Sequence, residues 1–297
     1  MKNYFFLLIV FAFFSSTYAQ GPVDGFFSPK NELSLTASYT SSNYDEFYVG
    51  EEKMSPVPAH NEVKQNIYSL YGKYGLTNDL TLIMNLPYVS AQGEGQPDPF
   101  NNTTEQKDFQ DLGLFAKYRP ASFDLENSNL DIVTALGFNF PLGYEPNGIL
   151  SIGSGAFSTD LHAGLHYQHS TGFFTSAISG YSFRGEADDN LDINNGNNFD
   201  VPNAFLLLGK IGYASSKFYI EGWADYQSSV DGISINDPNF AGQFPETEVD
   251  FTRLGLTAYV PFGEAFGASA GFSTVVDGKN IAISNNFNLG LTYNVNL

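Results

Sequence analysis

Residues 74–88 read YGLTNDLTLIMNLPY, and every second residue after Asp79 is apolar: Leu80, Leu82, Met84, Leu86 and Tyr88. Strict alternation of this kind is the signature of a strand with one apolar face, and Thr77-Asn78-Asp79 before it has turn chemistry. The question is what that face meets. A packed core would make it a soluble sandwich, whereas lipid would make it one stave of a membrane barrel.

The same alternation recurs about a dozen times along the chain, in runs of about 9–11 residues, the length a tilted strand needs to cross a bilayer. Charged residues inside these runs fall on the half opposite the apolar set: Lys73, Asp111, Lys117, Asp131, Asp160, Arg184, Lys210, Glu221, Asp225 and Arg253. A sandwich also alternates, so the connections decide. They alternate between long and short: 41–64 long, 77–79 short, 91–107 long, 120–129 moderate, 144–157 long, 169–172 short, 185–202 long, 214–217 short, 229–248 long and 262–264 short. Long extracellular loops and tight periplasmic turns give that rhythm in outer-membrane barrels. Outward Tyr74, Tyr118, Tyr167, Tyr213 and Tyr293 lie near the predicted periplasmic ends, where amphipathic rings suit the headgroup level, while parity turns Tyr259 inward. The expectation is an all-β, transmembrane antiparallel up-and-down β-barrel of about 12 strands over residues 31–297, with both termini periplasmic.

The first residues, MKNYFFLLIVFAFFSSTYAQ, carry one Lys, an apolar run and small residues before Gln20. This predicts a signal peptide over 1–19, cut before Gln20, since the run is well short of the roughly 20 apolar residues of a membrane helix. A short periplasmic segment, 20–30, then leads to the first strand. The chain of 297 residues has no Cys, which excludes lipid attachment after the cut and disulfide stapling. Charged residues make up 15%, against roughly 25% in soluble domains. The net charge of −19 excludes nucleic acid as an expected partner.

Several short stretches resemble the outer-membrane transporter family named for the meta-pathway of phenol degradation: residues 74–88, DLGLFAKYR at 111–119, FPLG at 140–143, GSG at 153–155 and GYSFRG at 180–185. The resemblance covers nearly the whole mature chain and implies uptake of small hydrophobic or aromatic compounds. It departs from fatty-acid-type transporters, which possess a long N-terminal plug. Here about a dozen residues precede the first strand, too few for a hatch domain, although GPVDGFFSP has room to tuck into the lumen.

The candidate lumen residues are Lys73, Asp111, Phe115, Lys117, Asp131, Asp160, His162, His166, Arg184, Lys210, Glu221, Trp223, Asp225 and Arg253, with Tyr71, Arg119, Tyr219 and Tyr259 beside them. They serve either as charge ladders that orient a solute or as a network that holds a narrow barrel closed, because buried charges need partners. The balance favours a partly filled lumen with a narrow path. His162 and His166 share a face but sit about 13 Å apart at ~3.3 Å per residue, too far for one ion. The acidic stretch 188–196 lacks a calcium-loop register, so no metal and no cofactor is expected. With His60 in a loop and His169 at a turn, no nucleophile–base pair forms and no enzyme is expected. The expected function is passive transport or binding of small, possibly hydrophobic or aromatic, solutes in the outer membrane, with its lipid and lipopolysaccharide as surroundings. The alternative is a non-transporting surface or structural barrel acting through acidic extracellular loops.

Overall fold

The computed structural model describes residues 23–146, 148–190 and 192–297; the predicted signal peptide and its cut before Gln20 lie outside them. Twelve long strands form the wall: β1 (Glu32–Tyr44), β2 (Val63–Gly75), β3 (Leu80–Gly93), β4 (Asp111–Leu125), β5 (Ser128–Pro141), β6 (Ser158–His169), β7 (Phe173–Arg184), β8 (Ala204–Ala214), β9 (Tyr219–Ser229), β10 (Asp250–Phe262), β11 (Phe266–Lys279) and β12 (Asn285–Asn296). Each pairs antiparallel with its chain neighbours, and β1 pairs with both β2 and β12, so the sheet closes on itself. Closure leaves none of the twelve wall strands as a free sheet edge, which a lipid-facing sheet requires. At the seam the Thr36 and Thr292 hydroxyls lie 2.9 Å apart, buried on the lumen side.

The opening stretch shows how the wall works. Leu76 N–H donates to the Leu80 carbonyl at 2.9 Å and Asp79 N–H to the Thr77 hydroxyl at 3.1 Å, making a tight turn between β2 and β3. From there Leu82 is 41% exposed while its neighbour Ile83 is 3% exposed. The apolar half of the alternation therefore lies on the outer surface, as do Leu114, Leu136, Leu165, Leu207, Leu256 and Leu289. Those exposed rows form the lipid contact, and no described helix is long and apolar enough to cross a membrane. Leu165, midway along β6 and 49% exposed, is a direct probe of this reading. Leu165→Arg is expected to lower folding stability in lipid vesicles by about 2–4 kcal/mol, as charge does near the bilayer midplane. Chemical denaturation in vesicles measures it, and an unchanged midpoint contradicts a lipid-facing Leu165.

Two details differ from the sequence expectation. The strands run 11–15 residues rather than about 9–11, and the moderate connection expected at 120–129 is strand on both sides of a tight turn at 126–127. The cause of the second is a bulge: Tyr118 pairs with Thr134 but Ala121 pairs with Ile132, so β4 carries one extra residue at Arg119-Pro120. The bulge reverses parity, and Phe123 and Leu125 beyond it face outward again at 50% exposure each. A strict period of two breaks there, which makes the segment read as a loop. The connection 280–284, between β11 and β12, is short although it lies at the loop end.

Smaller pieces cap the loop end. A hairpin of Phe47–Val49 and Glu52–Met54, a two-stranded piece of Glu186–Ala187 with Phe199–Asp200, and a single 3-10 turn at Phe244–Glu246 lie in the long loops. The upper half of β3 pairs with Glu105–Phe109 rather than with β4, whose pairing with β3 ends at Asn85–Gly113.

Candidate functional site: a plugged lumen beneath a chamber

Below β1 the chain turns inward. Glu32 N–H donates to the Pro29 carbonyl at 3.1 Å, Lys30 N–H to Asn78 Oδ1 at 3.0 Å and Ser28 N–H to Thr81 Oγ1 at 3.2 Å, so the segment enters at the turn end and runs up inside the wall. Gly75 makes room for it, since a Cβ there would lie 1.9 Å from the Pro29 carbonyl oxygen. Of the stretch expected as a short periplasmic lead with room to tuck into the lumen, residues 23–28 lie inside and Pro29 and Lys30 stay exposed at the turn end.

Four side chains seat it. The Phe26 ring meets His166, Phe174 and Tyr219 edge-on, with centroids at 4.6, 4.9 and 5.8 Å. Val23 packs among Tyr71, Ile83, Phe115, Val133, Ala135 and Ile178. Asp24, 1% exposed, accepts from Lys117 Nζ at 2.5 Å, and the same ammonium donates to the Asp24 carbonyl at 3.2 Å and to the Phe26 carbonyl. Burial alone would raise the Asp24 carboxyl, but Lys117, Lys73 and Lys210 outweigh it and hold that group below its usual range. The Phe27 ring lies 4.8 Å from Lys117 Nζ and 5.0 Å from the Arg119 guanidinium carbon. Arg119 also bonds Asp131 at 3.0 Å and Asp79 at 2.9 Å, tying the β4 bulge to the first turn.

The remaining candidates fall into two levels. Beside the plug, Lys210 lies 3.5 Å from Glu221, which also accepts from the Tyr219 hydroxyl at 2.5 Å, and His166 shares a 2.8 Å hydrogen bond with Ser176. Lys73 is 4% exposed at the same depth. Above it, Asp111, Asp160, Arg184 and Arg253 line a chamber of 1050 Å³. Arg253 is paired with Asp225 at 2.6 Å, and its guanidinium carbon sits 5.5 Å from the Trp223 ring. His162, 6.3 Å from the Phe115 ring, and His166 occupy separate surroundings. Among the described residues no group of three metal-ligating side chains converges.

The narrow interior explains a feature that alternation does not reveal: large lumen rings lie over glycines of the next strand. Phe115 covers Gly137, its register partner, and Trp223 covers Gly255, where a Cβ would meet the indole at 2.1 Å. Trp223 is the protein's one Trp and donates to Thr257 Oγ1 at 3.2 Å. Gly255→Val is therefore expected to displace the indole, shift its emission to the red and lower stability by about 1–3 kcal/mol. An unshifted spectrum would show that the ring has space the structure denies it.

Sequence reasoning missed the roof of the chamber and the loop ties. Phe100 and Phe244 meet edge-on at 5.1 Å, bridging two long loops, and Phe240 packs on Phe244 at 5.3 Å. His60 and Asp98, both fully buried, lie 3.7 Å apart, and Asp98 accepts from the backbone of Phe100 and Ile149. Tyr144 donates to Asp111 Oδ1 at 2.6 Å, anchoring a third loop to the wall. A signal for the plug did exist: Ile83, Val133 and Ile178 are apolar on the half of the alternation that otherwise carries charge.

The chain is thus a twelve-stranded barrel with its own N-terminal segment seated in the lumen. Residues 61–291 match the family described as "Putative MetA-pathway of phenol degradation". The chain belongs to that family. Among solved structures it is similar to an outer-membrane channel from Pseudomonas putida F1, with TM-score 0.71 and 15% identity over 95% of this chain and 100% of that one. The NanC porin aligns with TM-score 0.49 and 11% identity over 88% of this chain and 98% of that one. No curated protein matches the chain. The family and the closed wall make this protein an outer-membrane β-barrel.

Proposed function

We propose that this family member is a passive outer-membrane conduit for small, largely apolar solutes, aromatic compounds among them. In this reading the long loops face outward, both termini are periplasmic, and solute gathers in the loop-end chamber before passing the N-terminal segment. The observation that carries the reading is the chamber itself: 1050 Å³ bounded above by Phe100, Phe240 and Phe244 and below by Asp111, Asp160, Arg184 and Arg253. A cavity with apolar walls and a few converging polar groups is the form that small-molecule sites take. The lumen charges serve the barrel itself as much as a solute, because Lys117 holds the plug through Asp24 while Lys210 and Arg253 are paired with the wall carboxylates Glu221 and Asp225.

Planar-bilayer recording of the refolded mature protein tests this. Small current steps that fall reversibly on addition of 4-propylphenol, with protein-free bilayers as control, are the expected result. Verified insertion with no current and no solute effect would instead favour a surface barrel acting through its acidic loops.

A further inference from the structure

One charged group facing the chamber has incomplete bonding. Asp160 on β6 is 8% exposed; its Oδ2 accepts from Asn139 Nδ2 at 2.8 Å, while its Oδ1 is buried without a hydrogen-bond partner among the described residues. A buried carboxylate oxygen left without a donor is costly, and a small rotation of the Asp160 side chain toward the chamber it lines would let an arriving donor complete it.

The surroundings decide what kind of donor. Asp111, on the same chamber floor, has one oxygen occupied by the Tyr144 hydroxyl. Arg184, diagonally across the β6–β7 pairing from Asp160, spends its guanidinium on the Pro202 carbonyl at 3.3 Å and Gln227 Oε1 at 3.1 Å. Arg253 is neutralised by Asp225. With Arg253 neutralised, the floor carries two carboxylates, Asp111 and Asp160, against the one guanidinium of Arg184. A further anion there meets like-charge repulsion. The roof is aromatic and suits an apolar body.

We propose that the chamber binds solutes with an apolar body and one hydrogen-bond-donating, non-anionic head, seated on Asp160 Oδ1, and that it rejects the matching carboxylate. This rests on the reading of the chamber as a solute site. The head is recognised as a donor, so a phenolic or alcoholic hydroxyl is accepted and a carboxylate on the same body is not.

Equilibrium dialysis of the nanodisc-embedded protein with 4-propylphenol and 4-propylbenzoate, at neutral pH and corrected with empty nanodiscs, tests the proposal. The expected result is one phenol per barrel, with the benzoate at least tenfold weaker. In Asp160→Asn that ratio should collapse toward unity, whereas Asp188→Asn, an equal change in net charge on an exposed loop, should leave it intact. Heat-modifiable gel mobility reports folding, and Asp160→Ser serves if the Asn variant does not fold. Equal binding of both probes, or an unchanged ratio in the Asp160 variants, overturns the head-group assignment while the chamber stands. Binding of neither probe above empty nanodiscs overturns both.

Discussion

Deleting residues 23–29 is expected to raise single-channel conductance several-fold and to turn the pore toward anions. The pairing of the wall does not depend on the segment: all twelve strands pair with one another, and the plug is bonded to them at the turn end and through Lys117. Its removal therefore empties the lumen without opening the sheet. What it leaves behind decides the selectivity. Asp24 is the carboxylate that meets Lys117, and Lys73 and Lys210 act on it from the same depth. Without Asp24, Lys117 faces water with no carboxylate at ion-pair distance among the described residues, whereas Lys210 keeps Glu221. A ring of fixed charge at a constriction sets the sign of the permeant ion. Conductance and reversal potential in asymmetric salt measure both effects. A deletion variant that inserts with unchanged steps would show that the segment does not limit flow.

How much of this was legible beforehand follows from where the period of two holds. It holds along β6 and β12, where Leu161 and Leu165, or Leu289 and Leu291, alternate with lumen residues because a closed wall has two different solvents on its faces. It fails at Arg119-Pro120, where an extra residue reverses parity, and nothing local announces that Phe123 is outward again. The charged lumen residues were visible as the polar half of each run, but their partners were not. Pairing of Lys117 with Asp24 joins residues 93 apart in the chain, a separation no spacing rule reaches. The seats of Phe115 and Trp223 on glycines needed the register between strands, which sequence alone leaves open. The chamber roof was least legible of all, because Phe100, Phe240 and Phe244 sit in loops where no periodicity applies.

Lys117→Met should unseat the plug while the barrel stays folded. Lys117 is fully buried, and its ammonium holds both the Asp24 carboxylate and the Phe26 carbonyl. Removing one member of a buried ion pair leaves an uncompensated charge, at a cost of about 3–5 kcal/mol. The wall is not the element that yields, since a plug held by a handful of contacts opens locally at far lower free energy than the closed sheet. The variant should therefore show protease cleavage within 23–30 and current steps like those of the deletion, with unaltered heat-modifiable mobility. Adding Asp24→Asn to Lys117→Met removes the stranded charge and should restore most of the protection, because an uncharged pair of similar shape is often neutral or better. Acid offers the same test without mutation. The Asp24 carboxyl is depressed in the seated plug, so its contribution is fully present above the ordinary value of 3.8 and is lost as pH falls through the lower seated value. Protection of the native plug should hold at neutral pH and decline below about pH 4, whereas the double variant, lacking the carboxylate, should show no such decline. A native plug equally protected on both sides of that range would mean that Phe26 and Val23 alone hold it, and that the Asp24–Lys117 pair sets its register rather than its strength.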